Sequence, residues 1–330
     1  MRVVAAVDKF RGSATAADVA HAIGQACWEL GHDCDEFALA DGGEGLLEAL
    51  GGANRTNVVT GPLGEPVEAP WRFHRGTAII EMARASGLTL AGGAEGNDPL
   101  EATTAGTGEL IDAALTAGAK RIIVGLGGSA TTDGGLGALR AISAPVRLRS
   151  VELLVACDVT TRFVDAAAVF GPQKGATPAQ IKLLTGRLER LADQYRDQFG
   201  VDVRDIPGSG AAGGIAGMLA ALGGQLIPGF ELVADELGLH DAVDGADLIV
   251  TGEGHLDRQS FEGKVVGGVA GIAAEYGVNV GAVVGIADDN VRHRIPIRVI
   301  ADLYGLDRAM REPLWCIEHA ARDLIESLTT

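Results

Sequence analysis

The sequence contains little cysteine, and the cysteines it has follow no metal-binding pattern. Four of its 330 residues are cysteines, and no two of them are spaced as a CxxC pair. The chain therefore lacks the usual sequence signature of a zinc site. Free thiols are typical of a reducing compartment, so we expect a cytoplasmic protein. The cysteines are Cys27, Cys34, Cys157 and Cys316.

Long apolar runs and positive charge are also scarce. The longest run of small apolar residues, 211–224, is too short to span a bilayer, and the N-terminal VVAAV is too short for a signal sequence. The formal net charge is −17, and only five residues are lysines. We therefore expect no nucleic acid and no membrane as partner, and we expect a small-molecule substrate instead.

The pattern of apolar residues predicts an α/β fold. Short β-branched runs alternate with Ala/Leu-rich helical patterns, which favours a parallel sheet covered on both faces. The predicted strands are Val3–Val7, Glu36–Ala40, Arg121–Val124, Glu152–Ala156, Asp247–Val250, Val280–Val284 and Arg298–Ala301. The predicted helices are Ala14–Glu29, Gly43–Leu50, Thr107–Ala117, Pro178–Phe199, Ala211–Leu222, Lys264–Glu275 and Trp315–Ser327.

Two regions interrupt this alternation and predict a second domain. Residues 56–90 read as short strands bounded by Pro and Gly, which favours a mixed sheet. Residues 158–245 contain a long charged helix and few strands. We therefore predict a second α/β domain inserted into the first. The first domain is predicted to comprise residues 1–55, 100–145 and 246–330, and the second to comprise residues 56–99 and 146–245.

Polar residues follow five of the predicted strands. The segments are DKFRGS, DGGEG, GLGGSATTDGG, CDVTTR and TGEGHLDRQSFEGK. Ligands of open parallel sheets bind outside the carboxyl ends of the strands, so these segments are predicted to form the site. Asp and Gly also begin helices and make turns, and at any single strand end this structural explanation is equally good.

The third segment is rich in glycine, and glycine is about twice as frequent in the chain as the usual roughly 7%. A turn of this kind between strand and helix exposes backbone N–H groups, which can bind phosphate. Gly127, Gly128 and Ser129 are the predicted donors. Asp133 could hold Mg²⁺ or accept a hydroxyl proton, or it could only cap the following helix.

The same segment leaves two other functions open. Gly125, Gly127 and Ala130 match the GxGxxG/A pattern of dinucleotide-binding proteins, which would indicate a nucleotide-dependent oxidoreductase. Such proteins have an acidic residue that binds the ribose about 20 residues further on. The candidate here, Asp158, lies 28 residues after Ala130, which is further than expected. A non-catalytic protein that binds a small molecule is the second alternative.

Lys264 is predicted to open a helix, although a cation opposes the dipole at a helix N-terminus. A phosphate bound there would interact favourably with both the free N–H groups and the ammonium. A solvated side chain that pairs with Glu262 is the structural alternative.

Ten motifs in this order make the chain similar to a known family. They are DKFRGS, DGGEG, GPLGEPV, IIEMARASGL, TTAGTGELI, GLGGSATTDGG, ACDV, VFGPQKGA, GSGAAGG and TGEGHLDRQSFEGK, between about Val3 and Gly285. The chain resembles the bacterial glycerate kinases of the first type. The resemblance implies two α/β domains, one of them Rossmann-like, and transfer of phosphate from ATP to D-glycerate, mostly giving 2-phosphoglycerate. The chain departs from the family pattern at Lys9 and Arg11, where the family has Ser and Lys, and at Thr161-Arg162-Phe163, where it has Asn-Pro-Leu.

The resemblance and the strand ends together give the expected site. ATP and Mg²⁺ are the expected cofactors, glycerate is the expected substrate, and a homodimer is left open. The residues expected to be catalytic are Asp8, Arg11, Asp133 and Lys264. Those expected to bind the substrate are Asp41, Glu44 and Lys174. Those expected to bind the nucleotide are Gly127, Gly128, Ser129, Gly252, Glu253 and Gly254, and the expected metal ligands are Asp158 and Asp257.

Overall fold

The computed structural model describes residues 1–329, which divide into two compact units. The terminal unit comprises residues 1–41 and the chain from residue 229 onward. The middle unit comprises residues 42–228, so it is one continuous insertion into the terminal unit. Both units are α/β, which confirms the predicted fold class. Helices and strands are numbered along the chain below.

The terminal unit contains a five-stranded parallel sheet in the order β11-β10-β9-β1-β2. Its strands are β1 (Arg2–Val7), β2 (Asp33–Ala38), β9 (Leu248–Leu256), β10 (Asn279–Ala287) and β11 (Ile297–Val299). Its helices are α1 (Ala16–Glu29), α10 (Gly229–Leu237), α11 (Leu239–Val243), α12 (Val265–Tyr276), α13 (Ile300–Tyr304), α14 (Leu306–Arg311) and α15 (Pro313–Thr329).

Helix α1 shows how local sequence fixes an element of this unit. The Thr15 hydroxyl accepts a hydrogen bond from the Asp18 N–H, and the Asp18 carboxylate accepts one from the Thr15 N–H, which forms a capping box. Val19, Ile23 and Cys27 follow at intervals of four residues and are fully buried. Their side chains join the same apolar core as the buried face of α15. The capping box therefore fixes where α1 begins, and the apolar stripe packs the helix against the core of the sheet.

The middle unit contains a six-stranded mixed sheet in the order β3-β4-β5-β6-β7-β8. The strands are β3 (Arg55–Thr60), β4 (Pro66–His74), β5 (Thr77–Glu81), β6 (Arg121–Gly125), β7 (Glu152–Ala156) and β8 (Gln225–Ile227). Strands β3, β4 and β5 pair antiparallel, and β5 also pairs parallel with β6, which continues in parallel to β7 and β8. This confirms the mixed sheet predicted from residues 56–90. The helices are α2 (Leu46–Ala49), α3 (Ala83–Ser86), α4 (Gly93–Gly96), α5 (Ala105–Thr116), α6 (Leu136–Ala141), α7 (Ala166–Phe170), α8 (Pro178–Phe199) and α9 (Ile215–Ala221).

The observed units differ from the predicted domain boundaries. Residues 100–145, predicted in the first domain, lie in the middle unit because β6 pairs with β5 and β7. Residues 42–55 lie there too. Residues 229–245, predicted in the second domain, lie in the terminal unit because α10 and α11 pack against α12. No helix within residues 1–329 is both long and apolar enough to cross a membrane.

Candidate active site

A cavity of about 470 Å³ lies in the terminal unit, where β1 and β9 end. Eight of the predicted site residues belong to this unit, and the structure brings seven of them into the lining of this one cavity. They are Asp8, Arg11, Asp41, Glu253, Gly254, Asp257 and Lys264. Gly252 is the exception, because it lies within the sheet, where an added Cβ would meet the Val283 carbonyl oxygen at 2.3 Å.

Glu253 is the most buried acid of this cavity, with 9% of its surface exposed. Its Oε1 is buried and accepts no hydrogen bond from any residue within 1–329. Burial raises the pKa of Glu253 to about 7; the Asp8 charge adds to the shift, and a Ser260 hydrogen bond and the Lys264 charge oppose it. A carboxyl group with this pKa can accept a proton near neutral pH. Glu253 lies on β9, although the sequence predicted a turn there.

Asp8 follows β1 and lies beside Glu253. Its Oδ1 accepts a hydrogen bond from the Lys9 N–H at 2.7 Å and lies 3.8 Å from the Lys9 ammonium. Burial raises the pKa of Asp8, and the Asp41 charge contributes to this, whereas the Lys9 charge opposes it. Several carboxylates therefore share a partly buried space, which favours a cationic ligand or a bound proton.

Lys264 lines the cavity at the N-cap position of α12. The helix begins at Val265, one residue after its predicted start. Glu262, the alternative partner for this lysine, pairs with Arg258 at 2.9 Å instead. Within residues 1–329, Lys264 forms no ion pair within 4.0 Å. Its ammonium therefore remains available for an anion at the start of α12.

Asp257, a predicted metal ligand, organises the loop between β9 and α12. Its Oδ1 accepts hydrogen bonds from the Ser260 N–H at 2.9 Å and the Ser260 hydroxyl at 3.2 Å. Burial would raise the pKa of Asp257, but these hydrogen bonds and the Lys264 charge lower it. The group is held as a carboxylate facing the cavity, which suits a role near a cation.

Apolar side chains also line the cavity, and nothing in the sequence predicted them there. They are Ile286, Ile300, Leu306, Ala309 and Met310, and Leu306 is 61% exposed. The only available sequence signal was a pair of apolar residues on a short helix, which usually indicates core. A cavity lined by both apolar and charged side chains suits a ligand with a planar base and a phosphate tail.

In the middle unit, Asp133 is a structural cap. Its Oδ2 accepts hydrogen bonds from the Thr104 N–H, the Thr104 hydroxyl and the Gly137 N–H at 2.9, 2.8 and 3.1 Å, and its Oδ1 accepts one from the Gly135 N–H at 3.0 Å. These contacts join the start of α5 to the start of α6. They match the helix-capping alternative.

Lys174, which was predicted to bind the substrate, is buried within the middle unit. Its surface is 2% exposed, and its Nζ donates hydrogen bonds to the Ser129 hydroxyl at 2.8 Å and the Thr131 carbonyl at 2.6 Å. Burial lowers the pKa of Lys174 to about 7, although the Asp133 charge opposes this shift. The lysine therefore holds the glycine-rich loop from inside the unit.

The glycine-rich loop retains the predicted phosphate donors. The backbone N–H groups of Gly127, Gly128 and Ser129 donate to no acceptor within residues 1–329. Gly127 is also required for packing, since an added Cβ would lie 2.8 Å from the Gly43 Cα. No helix follows β6 until Leu136, so the tight turn of a dinucleotide-binding motif is absent from this part of the chain.

Glu44 and Asp158 are exposed residues of the middle unit. The two predicted metal ligands, Asp158 and Asp257, therefore lie in different units. Within residues 1–329 no group of three or more His, Cys, Asp or Glu side chains is arranged to hold a metal ion.

Carboxylates and cations at the strand ends of a parallel sheet are suited to phosphoryl transfer, and the comparisons agree. A profile described as "Glycerate kinase family" matches residues 3–146 and 143–329. Glycerate 2-kinase of Escherichia coli K12 is 40% identical, over 99% of this chain and 98% of the relative. Glycerate kinase of Bacillus subtilis 168 is 37% identical, over 99% and 98%. The crystal structure of a candidate glycerate kinase 2 from Salmonella typhimurium LT2 has a TM-score of 0.87 and 37% identity, over 100% of this chain and 98% of that one.

These matches define the class of the protein, which is a kinase. The chain belongs to the glycerate kinase family. The resemblance seen in the ten motifs is thereby confirmed. The chain is an enzyme, so neither the oxidoreductase nor the non-catalytic alternative describes it.

Proposed function

We propose that this enzyme transfers the γ-phosphoryl group of ATP to D-glycerate and forms 2-phosphoglycerate and ADP. Relatives that cover nearly the whole chain are named glycerate kinase and glycerate 2-kinase. The observation that carries the proposal is the cavity of the terminal unit, which combines Glu253, whose pKa is raised, with the cations Lys264 and Arg11. Phosphoryl transfer needs a proton acceptor and positive charge at one place.

ATP is proposed to bind in this cavity with its base against the apolar side chains. Ile286, Leu306 and Met310 would contact the adenine. The phosphates would then reach Lys264 and the N-terminus of α12, where free N–H groups and the helix dipole favour an anion. Lys264 and Arg11 would neutralise the negative charge that spreads over the γ-phosphoryl group during transfer.

Glu253 is proposed as the proton acceptor. As the glycerate hydroxyl oxygen forms its bond to the γ-phosphorus, the hydroxyl proton moves to Glu253 and the bond from phosphorus to the ADP oxygen breaks. The free Oε1 of Glu253 is suited to receive that proton. Asp133 is not assigned to the chemistry, because its oxygens hold α5 and α6 together.

The residues of the cavity fit a Mg²⁺ ion that arrives with ATP. Mg²⁺ is commonly bound by one or two carboxylates together with substrate phosphates and water, so a cage of three protein ligands is not required. Asp8 and Asp257 would hold it, since the charges of both raise the pKa of Glu253 and both therefore lie near that residue. When bound, the ion would neutralise phosphate charge.

The roles predicted for the middle unit stay proposals. The three unengaged N–H groups of Gly127, Gly128 and Ser129 support phosphate binding. Contacts of Glu44 to glycerate and of Asp158 to Mg²⁺ rest on the family resemblance, as does the contact to glycerate of Asp41 in the terminal unit. The four free thiols support the cytoplasmic location that we propose.

An ADP-release assay over a panel of hydroxy acids tests the function. We expect turnover with D-glycerate and ATP, with the product phosphate on the 2-position by phosphorus NMR. ADP release without a phosphorylated hydroxy acid, or a 3-phosphate product, would contradict the proposal.

A further inference from the structure

A second cavity, of about 510 Å³, lies in the middle unit and contains none of the residues assigned to the reaction. Helices α6 and α8 both contribute to its walls. Leu100, Leu184 and Leu191 provide an apolar surface, and Arg140, Arg187 and Arg190 provide the charge. A volume of this size is within the usual range for small-molecule sites, about 300–1,000 Å³.

Three arginines contribute positive charge to this cavity. Within residues 1–329, none of the three forms an ion pair, although the sequence contains 44 acidic residues. Arg187 and Arg190 lie three positions apart on α8, so they occupy one face of the helix. Arg140 joins them from α6. Guanidinium groups gathered in this way repel one another unless an anion lies between them.

Two details indicate a formed site rather than a solvated helix face. Arg187 is half-buried, and its Nη1 donates to the Leu100 carbonyl at 2.8 Å, which holds the guanidinium at the cavity. Thr132 lines the same cavity and is 1% exposed, and its hydroxyl has no hydrogen-bond partner within residues 1–329. Buried polar groups are normally paired, so this unpaired hydroxyl is an exception in the wall of the cavity.

The acids at this cavity do not cancel its charge. Glu101 and Asp133 also line it. Asp133 accepts four hydrogen bonds from backbone and hydroxyl donors, as described above, and Glu101 is exposed to solvent. The positive charge of the cavity therefore exceeds the negative charge.

We propose that this cavity binds a small organic molecule with two oxyanion groups on a short carbon chain. A guanidinium group matches the geometry of a carboxylate or a phosphate with two parallel hydrogen bonds. Arg187 would bind one oxyanion, and Arg140 and Arg190 would bind the other. The leucines would cover the carbon chain. A phosphorylated carboxylic acid and a dicarboxylate share this chemistry. The inference does not depend on the function proposed above.

Isothermal titration calorimetry with two probes, phosphoglycolate and succinate, tests the site at pH 7.5 and constant ionic strength. Wild type is expected to bind at least one probe with millimolar or better affinity, and the preferred probe identifies the class of anion. Arg190→Gln should weaken that binding at least tenfold, and Arg190 makes no contact whose loss would unfold the chain. Arg187→Gln should weaken binding at least as much.

The matched control is Lys182→Gln, which removes an exposed cation from the same helix outside the cavity. It should leave the affinity unchanged. Lys264→Met should also leave it unchanged, because that lysine belongs to the other unit. The proposal is overturned if neither probe binds saturably, if Lys182→Gln weakens binding as much as Arg190→Gln, or if only Lys264→Met removes the binding.

Discussion

Lys174 gives the sharpest physical prediction, because an ionisable group is buried without an acidic partner. It is 2% exposed and forms no ion pair within residues 1–329; its two hydrogen bonds go to Ser129 and Thr131. Burial lowers the pKa of Lys174 to about 7 from the model-peptide value of 10.5. In the unfolded chain the same group keeps its proton up to about pH 10.4.

The sign of the effect follows from proton binding. Between pH 7 and pH 10.5 the unfolded chain holds a proton on Lys174 that the folded chain has released, so the free energy of unfolding rises with pH in this window. This gain in the free energy of unfolding is complete above the pKa that Lys174 has in the unfolded chain. It is lost as the pH falls through the pKa that Lys174 has in the folded chain. Between pH 7.5 and 9.5 the two pKa values give a gain of about 2.5 kcal/mol, as an order of magnitude.

Substitution with methionine, Lys174→Met, removes the titrating group and keeps most of the side-chain volume. Urea unfolding followed by circular dichroism at pH 7.5 and 9.5 measures the effect. Over this pH interval, the free energy of unfolding of wild type should rise by about 2–3 kcal/mol more than that of Lys174→Met. The control Lys182→Met removes an exposed lysine and should follow wild type. Parallel pH dependence of wild type and Lys174→Met would refute the reasoning.

Three further predictions concern the two units separately. Asp133→Asn places an amide NH₂ among four hydrogen-bond donors, so it should lower the free energy of unfolding by about 1–3 kcal/mol and leave kcat within a few-fold; a large loss of kcat at unchanged stability would return Asp133 to the chemistry. The pKa of Glu253 is raised to about 7, so wild type loses folding free energy as the pH rises and this buried group ionises. Glu253→Gln cannot ionise and escapes this loss. In metal-free buffer, the melting temperature of Glu253→Gln minus that of wild type should therefore be higher at pH 8 than at pH 5.5. The same variant should lose about 10²–10⁴-fold in turnover, and a rate near that of wild type would remove Glu253 as the proton acceptor. Turnover should be absent in excess EDTA and return with Mg²⁺ or Mn²⁺, whereas full activity in the chelator would contradict the carboxylate-bound cation.

The sequence predicted those features that local physics decides. Helix α8 has its predicted bounds, Pro178–Phe199, because a Thr-Pro start, a capping Gln180 and the left-handed Gly200 mark both ends within the sequence. The polar residues after β1 and β9 meet in one cavity because the carboxyl ends of parallel strands lie at one edge of a sheet.

The sequence could not predict which strand pairs with which. Strand β6 looks like any buried parallel strand, and only its long-range pairing with β5 and β7 assigns residues 100–145 to the middle unit. The hydrogen-bond partners of Asp133 and Lys174 could not be predicted for a related reason. A capping aspartate and a catalytic aspartate look identical in a sequence. Only the folded structure shows how buried such a side chain is and which groups it hydrogen-bonds.

The charge on Lys264 provides the most direct test of where the nucleotide binds. Lys264→Met keeps most of the stem and removes the ammonium that no acid pairs with in the described chain. Steady-state kinetics should show a loss of about 30- to 1,000-fold in rate, which corresponds to about 2–4 kcal/mol of transition-state stabilisation. The KM for ATP should rise more than the KM for glycerate, and Lys182→Met should leave both unchanged. Normal turnover of Lys264→Met with an unchanged KM for ATP would contradict the placement of the phosphates at the start of α12.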